Sequence, residues 1–99
     1  MGTCLTTTDW HIKDGSQDAF IERWTTWLKW TRETHGGLVS ARLVADAADP
    51  QRCVSVGEWT DSAARKHWAD DPRFLEFFMP CLELCEDTQG SEYEVKVAI

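Results

Sequence analysis

The chain lacks a surplus of positive charge, a long apolar run and any cysteine spacing of the kind that holds zinc. Its 10 Lys and Arg stand against 17 Asp and Glu, a net charge of −7 over 99 residues. Nucleic-acid binding draws its affinity from lysine and arginine displacing counterions, and no basic stripe interrupts the acidic balance, so a polyanion partner is disfavoured. No apolar run approaches the roughly 20 residues of a membrane helix, and the first residues lack the charged-then-apolar order of a secretory signal. A soluble, cytoplasmic protein is expected. In that reducing compartment Cys4, Cys53, Cys81 and Cys85 are expected as free thiols, with Cys81 and Cys85 at helical spacing. Met1 to Thr6 fits the loose N-myristoylation template. The same residues read better as the first edge of a strand.

What the chain has in quantity is aromatic surface. Six tryptophans and four phenylalanines exceed what the core of one small domain needs. Some of them are expected to line a cavity or a subunit interface.

The stretch Cys53 to Phe78 organises the rest. Val54 and Val56 alternate with Cys53, Ser55 and Gly57 in a strand that closes at Glu58-Trp59. Thr60-Asp61-Ser62 supplies cap-type side chains for a helix on which Ala64 and Trp68 share a face, with His67 beside them. Asp71-Pro72 then restarts the chain in a second, aromatic helical segment carrying Phe74, Phe77 and Phe78. Pro80 predicts a kink or a fresh helix start.

Before this stretch, Thr3 to Ile12 alternates as a strand with Cys4, Thr6, Thr8, Trp10 and Ile12 on one side. From Gln17 to about His35 the period changes to 3.6, placing Phe20, Trp24, Trp27, Leu28 and Thr31 on one helical face and leaving Trp30 as either a rim residue or an intersubunit contact. Gly36-Gly37 ends the helix through a left-handed cap. Leu38 to Ala45 is a second strand, followed by an acidic turn from Asp46 to Pro50. Thr88 to Ser91 reads as a loop, and Glu92 to Ile99 as a closing strand that buries Tyr93, Val95, Val97 and Ile99. The order β-α-β-β-α-β, with the second helical region split, predicts one α+β domain over residues 1–99: a ferredoxin-like antiparallel sheet with its helices on one face. If Trp10 lines the other face, a second copy is expected to cover it as a two-fold homodimer.

Several of these residues carry a family likeness. Gly15 and Phe20, the run Gly36 to Leu43, Asp49-Pro50, Glu58-Trp59 and Asp71-Pro72-Arg73-Phe74 resemble the antibiotic biosynthesis monooxygenase family of dimeric α/β barrels, from about Trp10 to Val97. The resemblance implies a homodimer and a monooxygenase that needs neither metal nor flavin, acting with O2 on a small aromatic phenol or hydroquinone of polyketide or quinol type. Many members carry a histidine nine residues after the strand-ending tryptophan. Here that position is Trp68, with His67 one step earlier. A haem-degrading branch shares the tryptophan, but its iron-ligating histidine falls at Phe78, and a phenyl ring cannot ligate iron.

Oxidation without a cofactor requires the substrate to supply the electrons, so the protein must hold a flat phenol, remove its proton and shelter the anion. His67 is the expected base near neutrality, with Glu58 as the second candidate. Trp59, Trp68, Phe74 and Phe78 are the expected walls of the substrate pocket, and Arg42 or Arg73 the oxyanion partner. This reading needs a chamber that admits a bicyclic guest. A non-catalytic or regulatory dimer binding a hydrophobic aromatic in the same pocket is the alternative, with haem binding the weakest reading.

Overall fold

Strand alternation in β1 (Cys4–Ile12) decides which side of the sheet the helices cover. In the computed structural model, which describes residues 3–99, β1 is followed by α1 (Gln17–Thr34), β2 (Leu38–Asp46), β3 (Asp49–Trp59), α2 (Ser62–Ala69), α3 (Phe74–Leu82) and β4 (Cys85–Glu94). The four strands pair antiparallel in the order β2-β3-β1-β4. Trp10 packs on Phe20 and Trp27 of α1 and Phe78 of α3, while Trp59 packs on Trp68 of α2. All three helices therefore lie on the face that carries Cys4, Thr6, Thr8, Trp10 and Ile12. This is the ferredoxin-like arrangement expected from the element order. Met1 and Gly2, on which the myristoylation template depends, lie outside the described residues.

The core is this aromatic layer. Trp10, Ile12 and Phe20 are 0% exposed and Trp59 is 1% exposed. Removing one such ring costs about 3–5 kcal/mol, because the cavity left behind collapses only partly. Trp10 thus faces the helices, not the open side of the sheet as the dimer expectation supposed. By register the open side carries Leu5, Thr7, Asp9 and His11 of β1 opposite Glu58, Val56, Val54 and Arg52 of β3. Arg52 there bridges Asp9 at 2.7 Å and Asp46 at 3.1 Å. Trp30 is not a rim residue either. It stacks on Phe77 at 4.7 Å, with the Arg73 guanidinium 5.8 Å above its ring.

The ends of the elements depart from local propensity where long-range pairing decides. β4 runs straight through Thr88-Gln89-Gly90-Ser91, because each of these residues pairs with β1, Gly90 opposite Thr8. The alternating tail is correspondingly not buried. Tyr93 is 54% exposed and Val97 75%, and the chain leaves the sheet after Glu94. β3 begins at Asp49, so the acidic turn shrinks to Ala47-Ala48. α3 continues through Pro80 without a fresh start, and the Pro80 carbonyl accepts a 2.7 Å bond from Arg23 Nη1. Asp61 caps α2 by accepting from the Ala64 amide at 2.7 Å. Cys81 and Cys85 fall in α3 and β4 respectively. Burial pushes their thiols up to about 12 and about 11, so both stay protonated near neutrality.

Neither Gly36 nor Gly37 takes the left-handed cap; among the described residues the one positive φ is at Gly15. What needs glycine at 37 is close approach, since a Cβ there would meet the Ala64 Cβ at 2.5 Å. α1 instead ends at His35, buried, whose Nε2 meets Asp71 Oδ2 at 2.8 Å and ties the end of α1 to the turn before α3. The Arg73 backbone N–H and then His35 hold the Asp71 carboxyl below its ordinary value of 3.8.

Two outcomes follow from these contacts. Gly37→Ala should lower the stability measured by urea unfolding by about 1–3 kcal/mol, and Ala64→Gly added to it should restore part of the loss. An unchanged midpoint for Gly37→Ala would show that α2 does not press on β2. Because the Asp71 pKa is depressed on folding, its contribution is present above the unfolded-state value and disappears as pH falls through the lower folded-state value. Thermal unfolding should therefore show an acid limb below pH 3.8 that is shallower in Asp71→Asn; identical limbs would remove Asp71 from the account.

Candidate functional site

The site is built from what the aromatic layer leaves open. Trp27 of α1 stacks on Trp68 of α2 at 5.4 Å and 20°, and Trp68 in turn meets Trp59 at 5.0 Å and Phe74 at 4.7 Å. The Trp68 indole Nε1 donates to Thr31 Oγ1 at 3.0 Å, and that hydroxyl donates to the Trp27 carbonyl at 2.9 Å. Trp68 is thereby fixed in one orientation by a buried polar chain. The rings fit closely and no bicyclic chamber opens between them. A cavity of about 150 Å³, partly open to solvent, lies between the stack and the β1–β4 strands. A much smaller void of about 30 Å³ lies on the β2–β3 side of the same stack.

Trp27, Trp68, Phe74 and Phe78 form the aromatic side of the larger cavity, and Thr6, Thr8, Thr88, Gly90 and Ser91 the polar side. Arg65 completes it. Its Nε is buried with no hydrogen-bond partner, and among the described residues it makes no ion pair. A buried donor on a permanent cation with nothing to bond to is costly unless an anion arrives. A cavity near 150 Å³ is the size that accepts a benzene-sized guest. A fused second ring exceeds it.

The residues named from sequence separate into two groups. Trp68, Phe74 and Phe78 line this cavity together. Trp59 faces the smaller void. His67 is exposed, its ring 5.6 Å from His35 and absent from the cavity wall. Glu58 and Arg42 project from the open face of the sheet, because each alternates with a helix-facing neighbour, Trp59 and Ala41 respectively. The backbone thus separates both from the aromatic layer. Arg73 sits outside, over Trp30 and Phe77. The charged cavity-lining group missed from sequence is Arg65. Its signal was the spacing of three to Trp68, which puts both side chains on one face of α2.

A wider concavity, about 530 Å³, is an open groove between α1 and α3 that includes Glu22, Arg23 and Glu76. Its wall mixes these charged side chains with Phe77 and Pro80. Among the described residues no three His, Cys, Asp or Glu side chains converge on a point that holds a metal, and no helix is long and apolar enough to cross a membrane.

Comparison with known proteins places this architecture. It superposes on SnoaB, a cofactor-independent oxygenase from Streptomyces nogalater, with a TM-score of 0.89 at 14% identity, covering 100% of this chain and 98% of that one. A protein from Nitrosomonas europaea described as a putative antibiotic biosynthesis monooxygenase gives 0.82 at 15% identity, covering 95% and 99%. A Bacteroides thetaiotaomicron protein of unknown function, a possible oxidoreductase, gives 0.84 at 8% identity, covering 95% and 98%. At such identities the likeness is one of fold. No curated protein matches the sequence significantly. The sequence profile described as antibiotic biosynthesis monooxygenase, however, matches residues 6–79, most of the chain and all of the cavity wall except β4. The chain belongs to the antibiotic biosynthesis monooxygenase family.

Proposed function

We propose that the protein is a homodimeric, cofactor-independent monooxygenase acting on a single-ring phenol or hydroquinone. The observation that carries this reading is Arg65, its buried Nε without a hydrogen-bond partner, in the wall of a ring-sized, aromatic-walled cavity. A phenol stacked on Trp68 and Phe74 would direct its oxygen to Arg65, where the cation favours the phenolate over the phenol. The lining holds no carboxylate and no histidine. The proton therefore passes to solvent, and the expected base, His67, has no part in the step. The phenolate is then electron-rich enough to reduce O2. One oxygen atom ends on a ring carbon that carried hydrogen; the other leaves as water with that hydrogen and the phenolic proton. The substrate supplies every electron, so the balance closes without flavin or metal. The chamber for a bicyclic guest that the sequence reading required is absent, so fused polyketide-sized substrates fall away and the reading narrows to one ring; a haem neither fits this cavity nor finds an iron ligand at Phe78.

The lack of a base in the lining also favours a second reading, a dimer that binds the same ring without turning it over. Oxygen uptake separates the two. In either case a second copy would cover the half-buried Leu5, Val54 and Val56 and the exposed Val44 on the open sheet face.

Metal-free protein should consume O2 with single-ring hydroquinones, and Arg65→Gln should lower kcat/KM about 10- to 100-fold, the worth of one charge-assisted hydrogen bond. The pH profile should shift to higher pH in that variant, while His67→Gln should stay within about threefold of wild type. A large loss in His67→Gln would reinstate it as the base, and saturable tryptophan quenching without uptake would leave the binding reading. Val54→Asp should turn the dimer into monomers in sedimentation; a wild-type monomer would remove the homodimer.

A further inference from the structure

The wall of the ring-sized cavity has one position without a side chain. Gly90 of β4 pairs with Thr8 of β1, and Thr8 shares the helix-facing side of the sheet with Trp10. A side chain at position 90 would therefore point into the cavity, which both residues line.

Glycine weakens a strand, and inside one it marks a bulge, an unusual backbone or a place where another group comes close. The first two do not apply here. The pairing of β1 with β4 runs unbroken from Cys4 to His11, and the one positive φ among the described residues is at Gly15. Nor does the packing of the chain itself need glycine at this position. A Cβ on Gly90 would meet the Thr7 carbonyl oxygen and the Thr8 hydroxyl, each at 3.9 Å, and no aromatic ring within 4 Å. At Gly37, by contrast, the same atom would meet the Ala64 Cβ at 2.5 Å. The fold fills the space beside Gly37 and leaves the space beside Gly90 open.

That space belongs to the cavity of about 150 Å³ whose aromatic side is Trp68, Phe74 and Phe78. A benzene-sized guest uses most of a cavity this large, so even one methyl group added to the wall removes room that the ring needs. β4 is an edge strand and Gly90 is exposed on it, so this part of the wall borders solvent as well as the cavity.

We propose that Gly90 is the specificity-determining residue of this cavity: its missing side chain leaves the slot in which the edge of a single ring lies against β4. The proposal rests on the ring-binding reading above and holds for turnover and for binding alone. Any Cβ at this position narrows the slot between strand and aromatic wall, and the loss grows with the width of the ring. A ring widened by one substituent is the guest that glycine admits and alanine rejects.

Tryptophan quenching of the metal-free protein, without oxygen, by hydroquinone and by methylhydroquinone tests this in wild type, Gly90→Ala and Gly90→Val, with urea unfolding and sedimentation of each. Gly90→Ala should raise the dissociation constant of hydroquinone about tenfold, the effect of one methyl group in an apolar pocket, and that of methylhydroquinone further; Gly90→Val should abolish both. The urea midpoint should hold or rise in both variants, since glycine is the poorer strand residue. Gln89→Ala, whose side chain lies on the opposite face of the sheet, should leave both constants unchanged. Wild-type affinities in both Gly90 variants would refute the proposal while leaving ring binding intact. A lowered midpoint or a changed oligomeric state in Gly90→Ala would also refute it, by assigning the glycine to packing. A wild-type protein that binds neither hydroquinone would remove the ring-binding reading itself.

Discussion

The stack of Trp27 on Trp68, locked by the Thr31 hydroxyl, sets the spacing between helices and sheet, and the two cavities beside it are what it leaves over. Indoles are rigid and wide. Placing three of them with Trp27 stacked on Trp68 and Trp59 tilted against it, between α1, α2 and β3, holds the layers apart where aliphatic side chains would let them close. The two voids flank this stack and share it as a wall. Because Trp68 spends its one donor on Thr31, it presents only a flat face to the larger cavity, and the polar work there falls to Arg65.

The buried polar atoms without partners tell the same story from the other side. A folded core satisfies nearly all of its donors, so those it leaves unmet call for an explanation. Of the four here, Trp59 Nε1 borders the smaller void, Arg65 belongs to the wall of the larger, and Trp27 lines both. Trp30 Nε1 lies in the α1–α3 contact, where its ring stacks on Phe77.

How much of this could be read from the chain depended on whether local pattern or distant pairing decided each element. Phe20, Trp27 and Thr31 repeat at helical spacing and are buried as that spacing requires. Trp68, Phe74 and Phe78 were legible as walls, since helical spacing and aromatic size both point inward. β4 was misplaced because Thr88 to Ser91 is turn chemistry locally, and only pairing with β1 makes it strand. His67 attracted attention as the one histidine of the central stretch, but a helix position beside Trp68 turns it to solvent. Glu58 and Arg42 failed on strand parity, which puts every neighbour of a buried residue on the far face. Arg65 was passed over because an arginine on a short helix usually faces water; the burial of its Nε is a tertiary fact.

The account rests on a cavity sized for one ring with a cation in its wall. The most direct measurement is a titration of the metal-free protein, without oxygen, with one-, two- and three-ring phenols, followed by tryptophan quenching. The account predicts saturable binding of the one-ring phenol, one per chain, weakening steeply as rings are added and tightening as the phenol becomes more acidic. Tightest binding by the three-ring phenol, with no dependence on acidity, would contradict it.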